Sequence, residues 1–193
     1  GTPTNGDVGS IDVKVTATDG SSAAVSDTFS LSVTNTNDAP SVANAIADQS
    51  VAEDSALSFQ FASNTFADID SGDSLTYTAT LSSGNALPSW LSFDASTRTF
   101  SGTPTNSDVG SIDVKVTATD GSSAAVSDTF TLSVANTNDA PIFASNPTLS
   151  ILEDIEYTYF VSILDPDYGD RVFVTADTLP SWLTYNSILK KLY

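Results

Sequence analysis

Residues 103–141 read TPTNSDVGSIDVKVTATDGSSAAVSDTFTLSVANTNDAP. Residues 2–40 carry the same text with three differences in 39 positions: Gly6 for Ser107, Ser30 for Thr131 and Thr34 for Ala135. The offset of 101 residues makes a repeat of about one small domain the governing feature of the chain. Within the copy, Ile11, Val13, Val15 and Ala17 alternate with Asp12, Lys14, Thr16 and Thr18. That is the period of a half-buried strand. Asp19-Gly20 opens a turn, and Phe29, Leu31 and Val33 alternate with Thr28, Ser30 and Ser32 as a second strand. The pair reads as a hairpin with a longish loop. Residues 35–40 follow as a linker, in which Pro40 ends any pairing.

Working outward, residues 41–141 make one complete unit. Leu57, Phe59 and Phe61 line one strand face, and Leu75, Tyr77, Ala79 and Leu81 another. Leu87-Pro88-Ser89-Trp90-Leu91 turns a corner, Thr99-Phe100-Ser101 is a short strand, and the duplicated hairpin closes the unit. About seven short strands in roughly 100 residues predict an all-β, two-sheet antiparallel sandwich with Greek-key connections. Residues 142–193 begin a further unit: Glu153-Asp154 matches Glu53-Asp54, Asp165-Pro166-Asp167 matches Asp68-Ile69-Asp70, and Leu179 to Leu183 matches Leu87 to Leu91. The expected organisation is therefore 1–40 as the closing hairpin of one unit, 41–141 as a full unit, and 142–193 as the early strands of another. The stretch is expected to belong to something longer.

Composition narrows the function. The 193 residues contain 24 acids, 6 bases and no histidine, for a net charge of −18. Nucleic acid is excluded as a partner, because neutralising phosphates takes clustered Lys and Arg. An anionic membrane surface is excluded on the same ground. There is no cysteine either, so disulfides are absent and zinc, haem and iron–sulfur sites lose their usual ligands. No apolar run is long enough to span a bilayer. Without His or Cys, and with no base at motif spacing from any serine, catalysis is not expected. The acids recur at fixed places in the repeat, which points to divalent cations rather than to solubility alone. Trp90 and Trp182, in identical Leu-Pro-Ser-Trp-Leu contexts, are expected to anchor cores. Tyr168, Phe66 and Phe143 have no core period and are better placed for contact.

Three motifs carry a resemblance. Val-Lys-Val-Thr-Ala-Thr-Asp followed by Asn-Thr-Asn-Asp-Ala-Pro resembles the strand end and linker of cadherins. Phe-Ala-Asp-Ile-Asp-Ser-Gly-Asp resembles their Asp-x-Asp turn. Leu-Pro-Ser-Trp-Leu-Ser-Phe-Asp through Phe-Ser-Gly-Thr-Pro is similar to bacterial cadherin-like domains of the dystroglycan type, also called putative Ig repeats. The resemblance covers the whole chain. It implies tandem extracellular sandwiches with calcium held between them. Two departures stand out: Asn35 and Asn136 replace the usual linker aspartate, and the Leu-Asp-Arg-Glu motif is absent.

By the logic of that resemblance, a first calcium centre would use Asp7, Asn37, Asp38, Asp68, Asp70 and Asp120, with Asp73 as a weaker member. A second would use Glu53, Asp108, Asn138, Asp139, Asp165 and Asp167. Glu153 and Asp19 are the counterparts that the two centres lack. Calcium takes six to eight oxygens at about 2.3–2.6 Å, and such extracellular modules bind it at roughly 10⁻⁴ to 10⁻³ M. The expected function is a calcium-stiffened extracellular or cell-surface repeat segment, a spacer, adhesive or filament element. Residues 142–193 of one molecule would be completed by residues 1–40 of the next, or the stretch is one window of a continuous array. The alternative function is a calcium-dependent carbohydrate-binding module with a polysaccharide partner.

Overall fold

The alternation of the duplicated stretch becomes paired strands in the computed structural model, which describes residues 1–193. Sixteen strands run in order: β1 (Gly9–Thr18), β2 (Ala24–Val33), β3 (Ser41–Val42), β4 (Gln49–Ala52), β5 (Leu57–Gln60), β6 (Phe66–Ala67), β7 (Thr76–Leu81), β8 (Leu91–Asp94), β9 (Thr99–Gly102), β10 (Gly110–Thr119), β11 (Ala125–Ala135), β12 (Ile142–Phe143), β13 (Tyr159–Phe160), β14 (Ile163–Leu164), β15 (Tyr185–Asn186) and β16 (Lys191–Leu192). Single 3-10 turns, Asn5–Asp7 and Asn106–Asp108, precede β1 and β10. No helix is long and apolar enough to cross a membrane.

The chain divides into two compact units. The first holds Gly1–Gln49, Ala56–Gly102 and Ser111–Ser133; the second holds Ser50–Ser55, Thr103–Gly110 and Val134–Tyr193.

In the first unit, β10 pairs antiparallel with β7, from Val114 opposite Leu81 to Thr119 opposite Thr76. Strand β10 also lies beside β11 in the same sheet, and a second sheet has the order β5-β9-β8. The period of two sends Val114, Val116 and Ala118 of β10 and Phe130 and Leu132 of β11 inward, all buried. Aromatic rings join the two sheets. The Phe130 ring meets Phe59 edge-on at 5.7 Å and Phe100 at 5.5 Å between centroids. Such pairs add to burial that already dominates a core of this size. Gly102 ends β9 at φ 158°, where a Cβ would lie 1.8 Å from the Trp90 carbonyl oxygen. The Gly of the Gly-Thr-Pro motif is thus a close-approach residue. Phe66, expected at the surface, is buried instead, with its ring centroid 6.0 Å from Phe61 and 5.9 Å from Tyr77. Its two-residue strand is too short to show a period.

The hairpin β1–β2 pairs from Gly9 opposite Val33 to Thr18 opposite Ala24. Its inward-type positions are open: Ile11 is 58% exposed, and Phe29 and Leu31 are each 48% exposed.

The second unit repeats the register of the first. Strand β12 pairs β14 with Phe143 opposite Ile163, as β3 pairs β6 with Val42 opposite Phe66. In the sheet β13-β16-β15, Tyr159 faces Leu192 as Phe59 faces Phe100 in β5-β9-β8. The turn before β16 holds Lys190 at φ 48°, and the one before β9 holds Arg98 at φ 58°. Its apolar face is only partly covered: Val161 is buried, and Tyr159, Tyr185 and Leu192 are half-buried. Trp90 is half-buried, whereas Trp182, expected to anchor a core, is 64% exposed.

Candidate metal centres

Each centre begins as a local turn. The backbone amide of Asp70 donates to Asp68 Oδ1 at 3.0 Å, and that of Asp167 donates to Asp165 Oδ1 at 3.0 Å. This Asx geometry aims two carboxylates to one side of the turn. A third acid follows, with Asp73 N bonded to the Asp70 carbonyl and Asp170 N to the Asp167 carbonyl, each at 3.3 Å. Gly72 at φ 97° and Gly169 at φ 93° make those turns accessible. Asp68, Asp70 and Asp73 thereby place one carboxylate oxygen each within 4.8 Å of the others, and so do Asp165, Asp167 and Asp170. Asp170 is a member that the motif reading of the sequence left out.

The linker then closes on the turn. Asp38 N donates to Asp70 Oδ2 at 2.7 Å, and Asp139 N donates to Asp167 Oδ2 at 2.6 Å. In the first unit, Asn37 Nδ2 reaches Asp120 Oδ2 at 3.0 Å and the Asp38 carbonyl at 3.0 Å. The Asn37 amide beside Asp120 holds that carboxyl below the ordinary aspartate range, against burial, with backbone amides of Ala124, Ser122 and Ser123 assisting. Asp73 moves the other way, raised by desolvation and by the charges of Asp68, Asp70 and Asp120.

In the second unit, Glu53 is 1% exposed. Its Oε1 accepts from Thr137 N at 2.7 Å, which fixes the carboxylate against the linker. Glu53, Asp139 and Asp167 bring one oxygen each within 4.8 Å of one another. Glu53 Oε2 and Asp167 Oδ1 are buried and have no hydrogen-bond partner, and Asp68 Oδ2 of the first unit is in the same state. A buried carboxylate oxygen left unsatisfied costs about 1–3 kcal/mol or more. Carboxylates that converge within 4.8 Å and keep unpartnered oxygens match the needs of a hard divalent cation.

The other sequence candidates stand apart from these clusters. Asp7 Oδ2 and Asp108 Oδ2 accept from the amide and hydroxyl of Thr4 and Thr105 respectively, at 2.8–2.9 Å, closing a capping box around each 3-10 turn. The Thr4 amide, and then its hydroxyl, lower the Asp7 carboxyl below the usual value. Asp19 is exposed and accepts from the amides of Ser21 and Ala23 at 2.9 Å. Glu153 is exposed, and Asn138 Nδ2 bonds the Asp139 carbonyl at 3.1 Å. The structure adds two residues the sequence did not single out. Asn5 Nδ2 donates to Asp38 Oδ2 at 2.8 Å and to Asp70 Oδ1 at 3.5 Å, and Asn106 Nδ2 donates to Asp139 Oδ2 at 2.6 Å.

Comparisons with known proteins agree with this architecture. Residues 39–135 match the family described as "Putative Ig domain". No curated protein matches the sequence. Among solved structures, human CDH23 EC21-23 aligns with a TM-score of 0.58 and 17% identity, over 95% of this chain and 63% of its own. PcdhgB3 EC1-4 aligns with a TM-score of 0.57 and 20% identity, over 83% of this chain and 41% of its own. The endo-fucoidan hydrolase MfFcnA4, of glycoside hydrolase family 107, aligns over 71% of this chain and 20% of its own at 23% identity. Its TM-score of 0.44 is too low to bear on chemistry. The chain thus spans less than two thirds of each of these structures. With the family matched over residues 39–135 and the cadherin fold shared along most of its length, the chain belongs to the Putative Ig domain family and is built as a cadherin-like, Ig-like repeat.

Proposed function

We propose that this chain is a calcium-stiffened segment of an extracellular repeat protein, serving as a spacer or adhesive element of a surface protein or filament. One observation carries the reading: three carboxylates, Glu53, Asp139 and Asp167, converge within 4.8 Å while buried oxygens of two of them lack any donor. Like charges at that separation repel by on the order of 3 kcal/mol at an effective dielectric of 20. A bound calcium ion reverses the sign of that interaction and joins the linker to the turn beyond it. Glu53, Asp139, Asp165 and Asp167 would hold one ion. Asp38, Asp68, Asp70 and Asp120, with Asn37, would hold another.

The parsing into 1–40, 41–141 and 142–193 is part of the proposal. It is supported by the shared register of Phe59–Phe100 and Tyr159–Leu192. The extracellular placement draws on the protocadherin structures of similar fold, which are described as extracellular cadherin domains. Calorimetric titration of the full chain with calcium tests the central claim. Saturable binding at sub-millimolar to millimolar affinity is expected, and no heat above dilution would contradict it.

Self-association is the adhesive side of the same reading. Phe29 and Leu31 lie open on a hairpin whose duplicate residues, Phe130 and Leu132, are buried. Phe130 is covered by Phe59 and Phe100, and Tyr159 and Leu192 hold the equivalent register. A second copy would lay its 142–193 sheet over the first copy's 1–40 hairpin, head to tail. Sedimentation at rising concentration in calcium should show growing chains; a monomer throughout would remove this part of the proposal.

A further inference from the structure

The 3-10 turns before β1 and β10 present asparagine to the linker carboxylates and hold their aspartates on the capping threonine. Asn106 Nδ2 lies 2.6 Å from Asp139 Oδ2, while Asp108 Oδ2 is committed to Thr105, at 2.9 Å from both its amide and its hydroxyl. The duplicate does the same: Asn5 Nδ2 lies 2.8 Å from Asp38 Oδ2, and Asp7 Oδ2 is held by Thr4 at 2.8 Å from both groups. The three substitutions that separate the copies leave this arrangement intact. We infer that Asn106, and Asn5 in the equivalent place, are ligands of the cation centres, and that Asp108 and Asp7 are capping residues that take no ion. The inference rests on the calcium reading above and assigns it a residue.

The chemistry follows from the amide. With no cation, the Nδ2 group donates to the linker carboxylate and holds it in the cluster with Glu53 and Asp167, each of which keeps one buried, partnerless oxygen. When a cation takes that carboxylate oxygen, the amide nitrogen loses its acceptor. Half a turn about the terminal torsion then points Oδ1, a good calcium ligand, at the same place. The side chain is a latch before binding and a ligand after it. An aspartate there would add a further acid to the cluster of Glu53, Asp139 and Asp167 and would repel them in the ion-free state. The asparagine therefore keeps the linker in register without an ion and holds calcium affinity down, since affinity rises with the number of charged ligands.

Calcium titration of the full chain and of three variants, each with a melting curve in chelator, tests this. N106A should weaken one of the sites about tenfold and leave the other unchanged. N106D should tighten that site about tenfold while lowering the melting temperature in chelator. D108A should lower the melting temperature but keep calcium affinity within about twofold of the parent. Unchanged affinity in N106A, or a D108A loss equal to that of N106A, would overturn the assignment. If N106A does not fold, N106D decides: tighter binding supports the assignment, and unchanged or weaker binding overturns it. A parent chain that binds no calcium fails the underlying reading before any variant is measured, and this inference falls with it.

Discussion

The backbone amide of Asp139 donates to the Asp167 carboxylate at 2.6 Å, so the linker is pinned to the Asp-x-Asp turn by one of the two Asp167 oxygens. The other oxygen, Oδ1, is buried without a partner, and so is Oε2 of Glu53, a carboxylate that comes within 4.8 Å of Asp167. Three carboxylates, Glu53, Asp139 and Asp167, thus converge within 4.8 Å while two of their oxygens have no donor.

Removing one of those charges should therefore act oppositely with and without calcium. E53Q takes away a buried carboxylate and supplies an amide that can donate to Asp167 or Asp139. In chelator, the variant should be more stable than the parent by about 1–3 kcal/mol. In saturating calcium the order should invert, because the parent alone keeps its full ligand set. Melting curves in the two buffers check this, and a variant destabilised equally in both would show that Glu53 is merely structural.

The duplicated hairpin offers a comparison at constant sequence. Phe130 is 2% exposed against Phe59 and Phe100, whereas Phe29, its twin, is 48% exposed. F130A should cost about 3–5 kcal/mol in chemical unfolding, the range for an emptied core site. F29A in the dilute monomer should cost under about 1 kcal/mol. Equal costs would mean that the first hairpin is covered in solution.

Acid sensitivity should come late. The Ser96 hydroxyl and amide, with Thr97, hold the Asp94 carboxyl below its ordinary value, and Asn37 does the same for Asp120. A depressed carboxyl contributes stability that is full above the unfolded value and is lost as pH falls through the folded one. Asp73, raised, has the opposite sign: its ionised form costs stability, and that cost is relieved as pH falls through its raised value. In chelator, melting temperature should hold or rise slightly down to about pH 4 and drop below it. D94N should flatten the drop, and a steady decline beginning near neutral pH would contradict the assignment.

Much of this was legible in the sequence, for identifiable reasons. The alternation of Val114, Val116 and Ala118, and of Phe130, Leu132 and Val134, maps onto the buried face without exception, because a period of two leaves a strand no other way to bury apolar groups. The Asp-x-Asp turns were readable as turns because their geometry is local. Asn5 and Asn106 did not stand out, since an asparagine after Thr and before Gly or Ser reads as ordinary turn punctuation. Their reach to Asp38 and Asp139 spans 33 residues. Asp7 and Asp108 each lie three residues past a threonine whose amide and hydroxyl bond the carboxylate, a capping-box spacing that is itself local. Trp182 misled for a further reason: whether a large aromatic is buried depends on strands lying far from it in sequence.

Small-angle scattering of the full chain, with calcium and then with chelator, bears on the central claim most directly. The account predicts that chelation broadens the distance distribution and shifts the scattering profile toward a flexible chain, reversibly on restoring calcium. Identical profiles and an unchanged maximum dimension in the two buffers would contradict it.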